Sequence, residues 1–188
     1  VLGNHEIMVM LADLRYVHPK EQMVAEMHGV AYDRLFDVRH TVLGRWLASR
    51  PAALRIGRVL VAHGGITPAH LPLEALDDSL RTYVSEELFH KWADSTAAPI
   101  AMDSATYQRR ENFFFDRGSV FWHRAYVQTD TATATLDEML RLAEADLLVV
   151  GHTPVATMHA RYDERVIAAH TPRFGAELLL LVRDGDGY

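Results

Sequence analysis

The chain has 188 residues, of which 49% are hydrophobic and 23% are charged, a composition typical of a globular domain long enough to bury a core. Its formal net charge of -6 gives no electrostatic reason to expect nucleic acid or an anionic membrane as a partner. The absence of cysteine excludes disulfides and thiolate metal sites but leaves the compartment, cytoplasm or periplasm, undecided.

The first half of the chain predicts a long helix, a strand and a second helix. Pro19 suits the first turn of a helix, and apolar residues then recur at helical spacing until Pro51. The clearest positions of this apolar stripe are Leu35, Phe36, Val42, Leu43, Trp46 and Leu47. Residues 58–62 (RVLVA) indicate a short buried strand, and residues 74–93 an amphipathic helix.

The second half predicts more strands, separated by one helix. Residues 94–119 are interpreted as an irregular surface excursion, in which the Phe113-Phe114-Phe115 run forms a packed cap. Residues 136–145 predict a helix and residues 147–150 a buried strand, and three further strand candidates lie at 157–162, 166–169 and 177–182. Apolar strands alternating with helices predict an α/β fold with a sheet covered on both faces, although a β-sandwich wrapped by helices would show the same pattern.

Three histidine-containing segments share one context, in which a buried run ends beside glycine. These segments are Gly3-Asn4-His5-Glu6 after Val1-Leu2, His63-Gly64-Gly65 after the strand at 58–62, and Gly151-His152-Thr153-Pro154 after the strand at 147–150. Ligand sites in open α/β sheets lie beyond the carboxyl ends of the strands, and glycine permits a sharp turn and a close approach. We therefore expect the three segments to converge on one site.

The residue types at these strand ends suggest the chemistry of that site. Imidazole nitrogens with a carboxamide oxygen, and no thiolate, suit manganese, iron or zinc. A histidine next to the ligating asparagine is placed to act as a general acid. His170 also ends a strand candidate, and of the two interpretations, a fourth residue at the mouth of the site or a neutral variation, the second is favoured. The remaining histidines with no such context are interpreted as surface or helix-face residues: His18, His28, His40, His70, His90 and His159.

The order GNHE, HGG and GHT resembles the last three motif blocks of the calcineurin-like metallophosphoesterases, and the ending GHTP favours their phosphoprotein phosphatase branch. The stretches LGNHEIMVMLADLRYV, YDRLFDVRHTVLGRWL, HGGI and FWHR are similar to the Shewanella-like protein phosphatases. The resemblance implies a metallophosphoesterase-type α/β/β/α sandwich. The family's two earlier blocks, GDxHG and GDxxDRG, do not occur, so residues 1–188 are expected to be the C-terminal portion of a single domain truncated at its N-terminus.

The resemblance also implies a reaction and the residues that perform it. The full-length protein would hold two divalent metal ions (manganese, iron or zinc), with Asn4, His63 and His152 as ligands of the second ion. His5 would protonate the leaving alkoxide, and Arg124 would clamp the phosphate with its planar guanidinium. A metal-activated hydroxide would attack the phosphorus of a phosphorylated protein or small phosphoester. Residues 1–188 alone would hold half of the metal site and are expected to be inactive.

Two alternative functions remain beside metal-dependent phosphomonoester hydrolysis. A dinucleoside polyphosphate hydrolase shares the motif blocks, and a basic pocket for the polyphosphate chain would distinguish it. A phosphatase-like binding module without catalysis belongs to another class, and the intact GNHE, HGG and GHT blocks argue against it. The oligomeric state and the choice among serine, threonine and tyrosine phosphates are not predicted.

Overall fold

The computed structural model describes residues 1–85, 103–172 and 177–182. Their strands form one sheet: β1 (Ala53–Ile56), β2 (Val59–Ala62), β3 (Leu147–Val150), β4 (His159–Arg161) and β5 (Val166–Ala168). The order across the sheet is β1-β2-β3-β5-β4. The three central strands run parallel, and each edge strand is antiparallel to its neighbour. Parallel central strands need crossover connections, which the helices and loops between β2 and β3 provide.

Seven α-helices and two short 3₁₀ turns are described around this sheet. The helices are α1 (Asn4–Met10), α2 (Pro19–Met27), α3 (Val42–Ala48), α4 (Leu73–Tyr83), α5 (Ser104–Phe115), α6 (Ala125–Gln128) and α7 (Thr133–Leu142), and the 3₁₀ turns are Tyr32–Phe36 and Pro68–His70. Among the described residues, no helix has both the length and the apolar character that crossing a membrane requires.

The hydrophobic core lies against the three parallel strands. Each of them buries alternate residues, for example Leu60, Leu148 and Val166, because successive side chains of a strand point to opposite faces. Helix α7 contributes Leu136 and Met139, both fully buried. This packing holds the carboxyl ends of the strands in place for the site described below.

The α/β class predicted from the sequence is confirmed, but the two-sheet α/β/β/α sandwich is not, because the described strands all belong to one sheet. The buried strands predicted at 58–62 and 147–150 are present as β2 and β3, and those at 157–162 and 166–169 as β4 and β5. The candidate at 177–182 is not a strand. Strand β1 was not predicted from the sequence, because it is short and mostly exposed.

The single long helix expected between Pro19 and Pro51 is wrong, since the structure divides this segment into α2, a 3₁₀ turn and α3. Gly29, with φ of +75°, follows the end of α2 in the left-handed region that terminates helices. The side chain of Asp37 then accepts hydrogen bonds from the amides of Arg39 and His40, and the Thr41 hydroxyl accepts one from Gly44. Local capping therefore restarts the helix at Thr41 and overrides the continuous apolar period.

Residues 94–119 were expected to be irregular, which is wrong for the part that the structure describes. Helix α5 begins at Ser104 because the Asp103 carboxylate accepts a hydrogen bond from the amide of Thr106. Phe114 is fully buried and Phe113 and Phe115 are half-buried, which agrees with the predicted packed cap. Helix α4 ends at Tyr83, while residues 86–102, which include the rest of the predicted 74–93 helix, lie outside the described residues.

Gly44→Ala should destabilise the fold, although alanine favours helix more than glycine does. A Cβ atom at position 44 would lie 2.3 Å from the carbonyl oxygen of Asp37 and 2.6 Å from the amide nitrogen of Val38, and neither backbone atom can move aside cheaply. We expect a loss of about 1–3 kcal/mol in the free energy of unfolding, measured by urea denaturation. Gly151→Ala is the control, because its Cβ would meet only the carbonyl of His63 at 3.5 Å. An unchanged urea midpoint for Gly44→Ala would contradict the close contact.

Candidate active site at the carboxyl ends of the parallel strands

The register of the parallel strands brings distant histidines to one edge of the sheet. Ala62 of β2 pairs with Val150 of β3, and Val150 pairs with Ala168 of β5. His63 follows its paired residue directly, and His152 and His170 each come two residues after theirs. The convergence expected from the sequence therefore occurs, and it includes a third strand end.

The GNHE segment reaches the same edge from a helix rather than from a strand. Gly3 is the N-cap of α1, and the Glu6 carboxylate accepts a hydrogen bond of 2.9 Å from the Gly3 amide. Leu2 is anchored by a hydrogen bond from its amide to the carbonyl of Pro51. Glu6 thus orders the turn and places Asn4 in the first turn of α1, where its side chain is buried.

Asn4, His63 and His152 form a tight side-chain cluster. The His63 Nε2 atom lies 2.7 Å from the Asn4 Oδ1 atom and 3.0 Å from the His152 Nδ1 atom. Asn4 and His152 are only 4% and 8% exposed. A neutral His63 with its proton on Nε2 donates to both neighbours, so the three side chains hold one another in place.

Burial keeps both imidazoles of the cluster neutral at ordinary pH. Desolvation lowers the pKa of His63 to about 4, and nearby Glu6 opposes this effect only in part. Desolvation, with positive Arg124 as the next cause, lowers the pKa of His152 to about 3. Neutral imidazoles retain lone pairs, which can orient a water molecule or face a cation.

The loop that carries His152 has a constrained backbone. His152 has φ of +57°, a conformation that a non-glycine residue rarely adopts. The Gly151 amide donates to the carbonyl of His63, and the Val155 amide donates to the carbonyl of His170. The Trp122 ring also meets the His152 ring edge-on, with centroids 5.4 Å apart. These contacts tie the loop to both neighbouring strand ends and hold the imidazole against His63.

His5 lies on the exposed side of α1, next to Asn4. Its imidazole stacks on the ring of Tyr16, with centroids 5.0 Å apart and planes within 9° of parallel. Tyr16 also lines a cleft of about 480 Å³ with Leu11, Phe115 and Trp122. Since Tyr16 touches His5 and Trp122 touches His152, the aromatic walls of this cleft lie between two candidate site residues.

Arg124 caps the short helix α6 and lines a second cleft of about 570 Å³, which Trp122 and Phe115 also line. Its positive charge contributes to the lowered pKa of both His63 and His152, which places it near the cluster. Among the described residues, no carboxylate forms an ion pair with Arg124. The site therefore combines neutral imidazoles with an uncompensated cation.

Comparisons with known proteins identify similar solved structures. No protein-family model matches the chain, and no curated protein matches it. Two structures of a cold-active protein tyrosine phosphatase, one of them from a psychrophilic Shewanella species and one at 1.1 Å, are each 28% identical with a TM-score of 0.73 over 92% of this chain. A point mutant of a cold-active protein tyrosine phosphatase is also 28% identical, with a TM-score of 0.72. The chain spans about half the length of these structures, covering 48–49% of each.

These comparisons correct the family resemblance drawn from the motifs. The similar solved structures are named protein tyrosine phosphatases, and none of the three is named as a calcineurin-like metallophosphoesterase. The motif blocks GNHE, HGG and GHT do meet in space, but the family assignment rested on sequence motifs and similar stretches alone. The fold and the name of these neighbours agree with the coarser expectation of a phosphatase.

The expectation of two divalent metal ions as cofactors is corrected on the same grounds. The similar structures are named as tyrosine phosphatases, and no group of three or more His, Cys, Asp or Glu side chains within the described ranges is placed to hold a metal ion. The narrower assignment of Asn4, His63 and His152 as ligands of one ion stays a prediction. Their two nitrogens and one oxygen are a donor set that a divalent cation accepts. A titration with manganese that compares the wild type with Asn4→Leu tests this assignment.

Sequence reasoning missed the aromatic side chains that support the histidines. Tyr16 lies in a loop at the end of the stretch LGNHEIMVMLADLRYV, and its contact with His5 depends on how the chain turns after α1. Trp122 is part of the stretch FWHR, and the structure shows its ring against His152. Nothing in the sequence pattern signals either contact, because each joins residues from separate elements.

His123 should make the stability of the protein depend on pH. It is buried next to Tyr126, its Nδ1 atom has no partner, and desolvation lowers its pKa from 6.5 to about 4. Below pH 6.5, His123 binds a proton in the unfolded chain but stays neutral in the folded chain. The contribution of neutral His123 to the free energy of unfolding is therefore complete above pH 6.5 and is lost as the pH falls from 6.5 to about 4.

His123→Phe should therefore flatten the fall in stability between these pH values, as followed by urea midpoints at a series of pH values. His159→Phe, at an exposed position of β4, is the control. An unchanged pH dependence in His123→Phe would show that His123 does not contribute to acid destabilisation.

Proposed function

We propose that this chain carries phosphate-binding and catalytic residues of a phosphomonoester hydrolase. The observation that carries the proposal is the uncompensated Arg124 cation next to the neutral cluster of Asn4, His63 and His152. A positive group that faces neutral donors and acceptors favours an anion, and a guanidinium fits two phosphate oxygens at once. The similarity to solved phosphatase structures supports the same reaction class.

The absence of cysteine constrains the mechanism, since no thiolate of this chain can attack phosphorus. We propose direct attack by water, in which a new P–O bond forms and the bond to the ester oxygen breaks. The cluster of Asn4, His63 and His152 orients the attacking oxygen, and Arg124 binds the equatorial phosphate oxygens. His5 donates the proton that the departing ester oxygen needs. The attacking water releases one proton to solvent as inorganic phosphate forms, and His5 is reprotonated from solvent.

A phosphorylated aromatic side chain is the substrate that this site suits best. The cleft of about 480 Å³ presents Tyr16, Phe115 and Trp122 beside the candidate acid His5. Aromatic rings stack or meet edge-on with a favourable energy of about 0.5–1.5 kcal/mol beyond the area that they bury. The similar structures are named protein tyrosine phosphatases, which supports phosphotyrosine as the substrate class.

Arg124→Ala should weaken the binding of inorganic phosphate about 10- to 100-fold, because one charge-assisted pair of hydrogen bonds is lost. Isothermal titration of this chain with phosphate measures the effect without requiring turnover. Arg141→Ala is the matched control, since Arg141 is exposed in the last turn of α7, away from the site. A wild-type chain that does not bind phosphate, or equal affinity for Arg124→Ala, would refute the phosphate site.

In a longer protein that contains this chain, His5→Gln should reduce kcat more for phenyl phosphate than for p-nitrophenyl phosphate. Phenolate is a poor leaving group that needs a proton, whereas p-nitrophenolate leaves readily as an anion. We expect a loss of about 100-fold or more on phenyl phosphate and a clearly smaller loss on p-nitrophenyl phosphate, measured by release of phosphate. His28→Gln, at the exposed end of α2, should leave both rates unchanged. Equal losses on the two substrates would show that His5 is not the acid.

A further inference from the structure

We propose that His170 is a further substrate-binding residue, whose Nε2 atom forms a hydrogen bond with the phosphate of the bound ester. This inference rests on the proposed function and assigns a third strand-end histidine to the same site. The sequence pattern favoured neutral variation at this position, and the structure provides three observations against that interpretation.

The first observation is the position of His170 in the sheet. Strand β5 lies beside β3 in parallel register, with Ala168 opposite Val150. His152 and His170 each lie two residues beyond this pair, so both leave the sheet at the same edge. A residue that occupied this place by chance would have no reason to be an imidazole next to a cluster of imidazoles and a carboxamide.

The second observation is the environment of the ring. His170 is half-buried, and its Nδ1 atom is buried and has no hydrogen-bond partner. A buried polar atom without a partner is costly, so the ring occupies this position at an energetic cost that Nδ1 does not recover. Nε2 is not among the buried unpartnered atoms, so this nitrogen is the one that can reach a ligand.

The third observation is that His170 is linked to the site by a backbone hydrogen bond and by electrostatic interaction with His63 and His152. Its carbonyl accepts a hydrogen bond of 2.8 Å from the Val155 amide, which closes the loop that carries His152. A positive charge on His170 would act on both His63 and His152, which places the ring within electrostatic range of both. The ring is therefore held near the anion that Arg124 is proposed to bind.

The test compares three substitutions at this position by titrating each protein with inorganic phosphate. A glutamine amide nitrogen can occupy the place of imidazole Nε2, whereas the shorter asparagine reaches only the place of Nδ1. We expect His170→Ala and His170→Asn to bind phosphate about three- to tenfold more weakly, and His170→Gln to retain most of the affinity. His159→Ala, on the exposed edge strand β4, is the matched control and should bind as the wild type does. Urea midpoints of all variants establish that each is folded.

Each remaining outcome overturns the proposal in a distinct way. Equal phosphate affinity in His170→Ala and the wild type shows that the ring does not touch phosphate. Equal losses in all three variants show that the ring acts through its packing and not through a hydrogen bond from Nε2. A wild-type chain that does not bind phosphate refutes the proposed function itself, and this result is obtained before any His170 variant is compared.

Discussion

The in-register pairing of β2, β3 and β5 is the constraint on which the site depends. Residues from three segments far apart in sequence end at one edge only because Ala62, Val150 and Ala168 are neighbours across the sheet. A shift of one residue in any strand would exchange the buried and outward faces of that strand and would remove its histidine from the cluster. The buried side chains of these strands, such as Leu60, Leu148 and Val166, fix the register because they must face the core.

Burial at this edge determines the chemistry of the histidines. An exposed imidazole changes its charge near neutral pH, whereas His63 and His152 stay neutral until the pH is close to 4 and 3. The hydrogen bonds among Asn4, His63 and His152 offset part of the cost of burying these polar rings, although the His152 Nε2 atom is buried without a partner. Arg124 has no ion-pair partner among the described residues, and under the proposed function an anionic substrate would supply that counter-charge.

Close backbone approaches around the site explain why glycine recurs beside its histidines. A Cβ atom on Gly3 would lie 2.7 Å from the Nδ1 atom of His63, and one on Gly64 would lie 2.8 Å from the backbone nitrogen of His123. Glycine at these positions lets α1 and the segment before α6 approach the end of β2. Gly3 and Gly64 are therefore needed for packing, whatever reaction the site performs.

Local signals explain where prediction of the fold succeeded and where it failed. Continuous apolar runs identified β2 and β3, because one face of each strand is buried, the other is half-buried, and both carry apolar residues. Helix α5 was missed because its residues are largely polar, although the Asp103 cap was a readable start signal. The long helix after Pro19 was overextended because the apolar period continued across Gly29 and Asp37, whose turn and capping roles interrupt it.

The sequence by itself determined the α/β class, the buried strands and the candidate residues Asn4, His63 and His152, because apolar runs and glycine-flanked polar residues are local features. Only the tertiary structure decided that His63 lies within 3.0 Å of both Asn4 and His152, that Tyr16 stacks on His5, and that His170 reaches the same edge. The physical reason is that contacts and desolvation depend on strand order and register. Those are set by the burial of the whole core, which no short stretch of sequence contains.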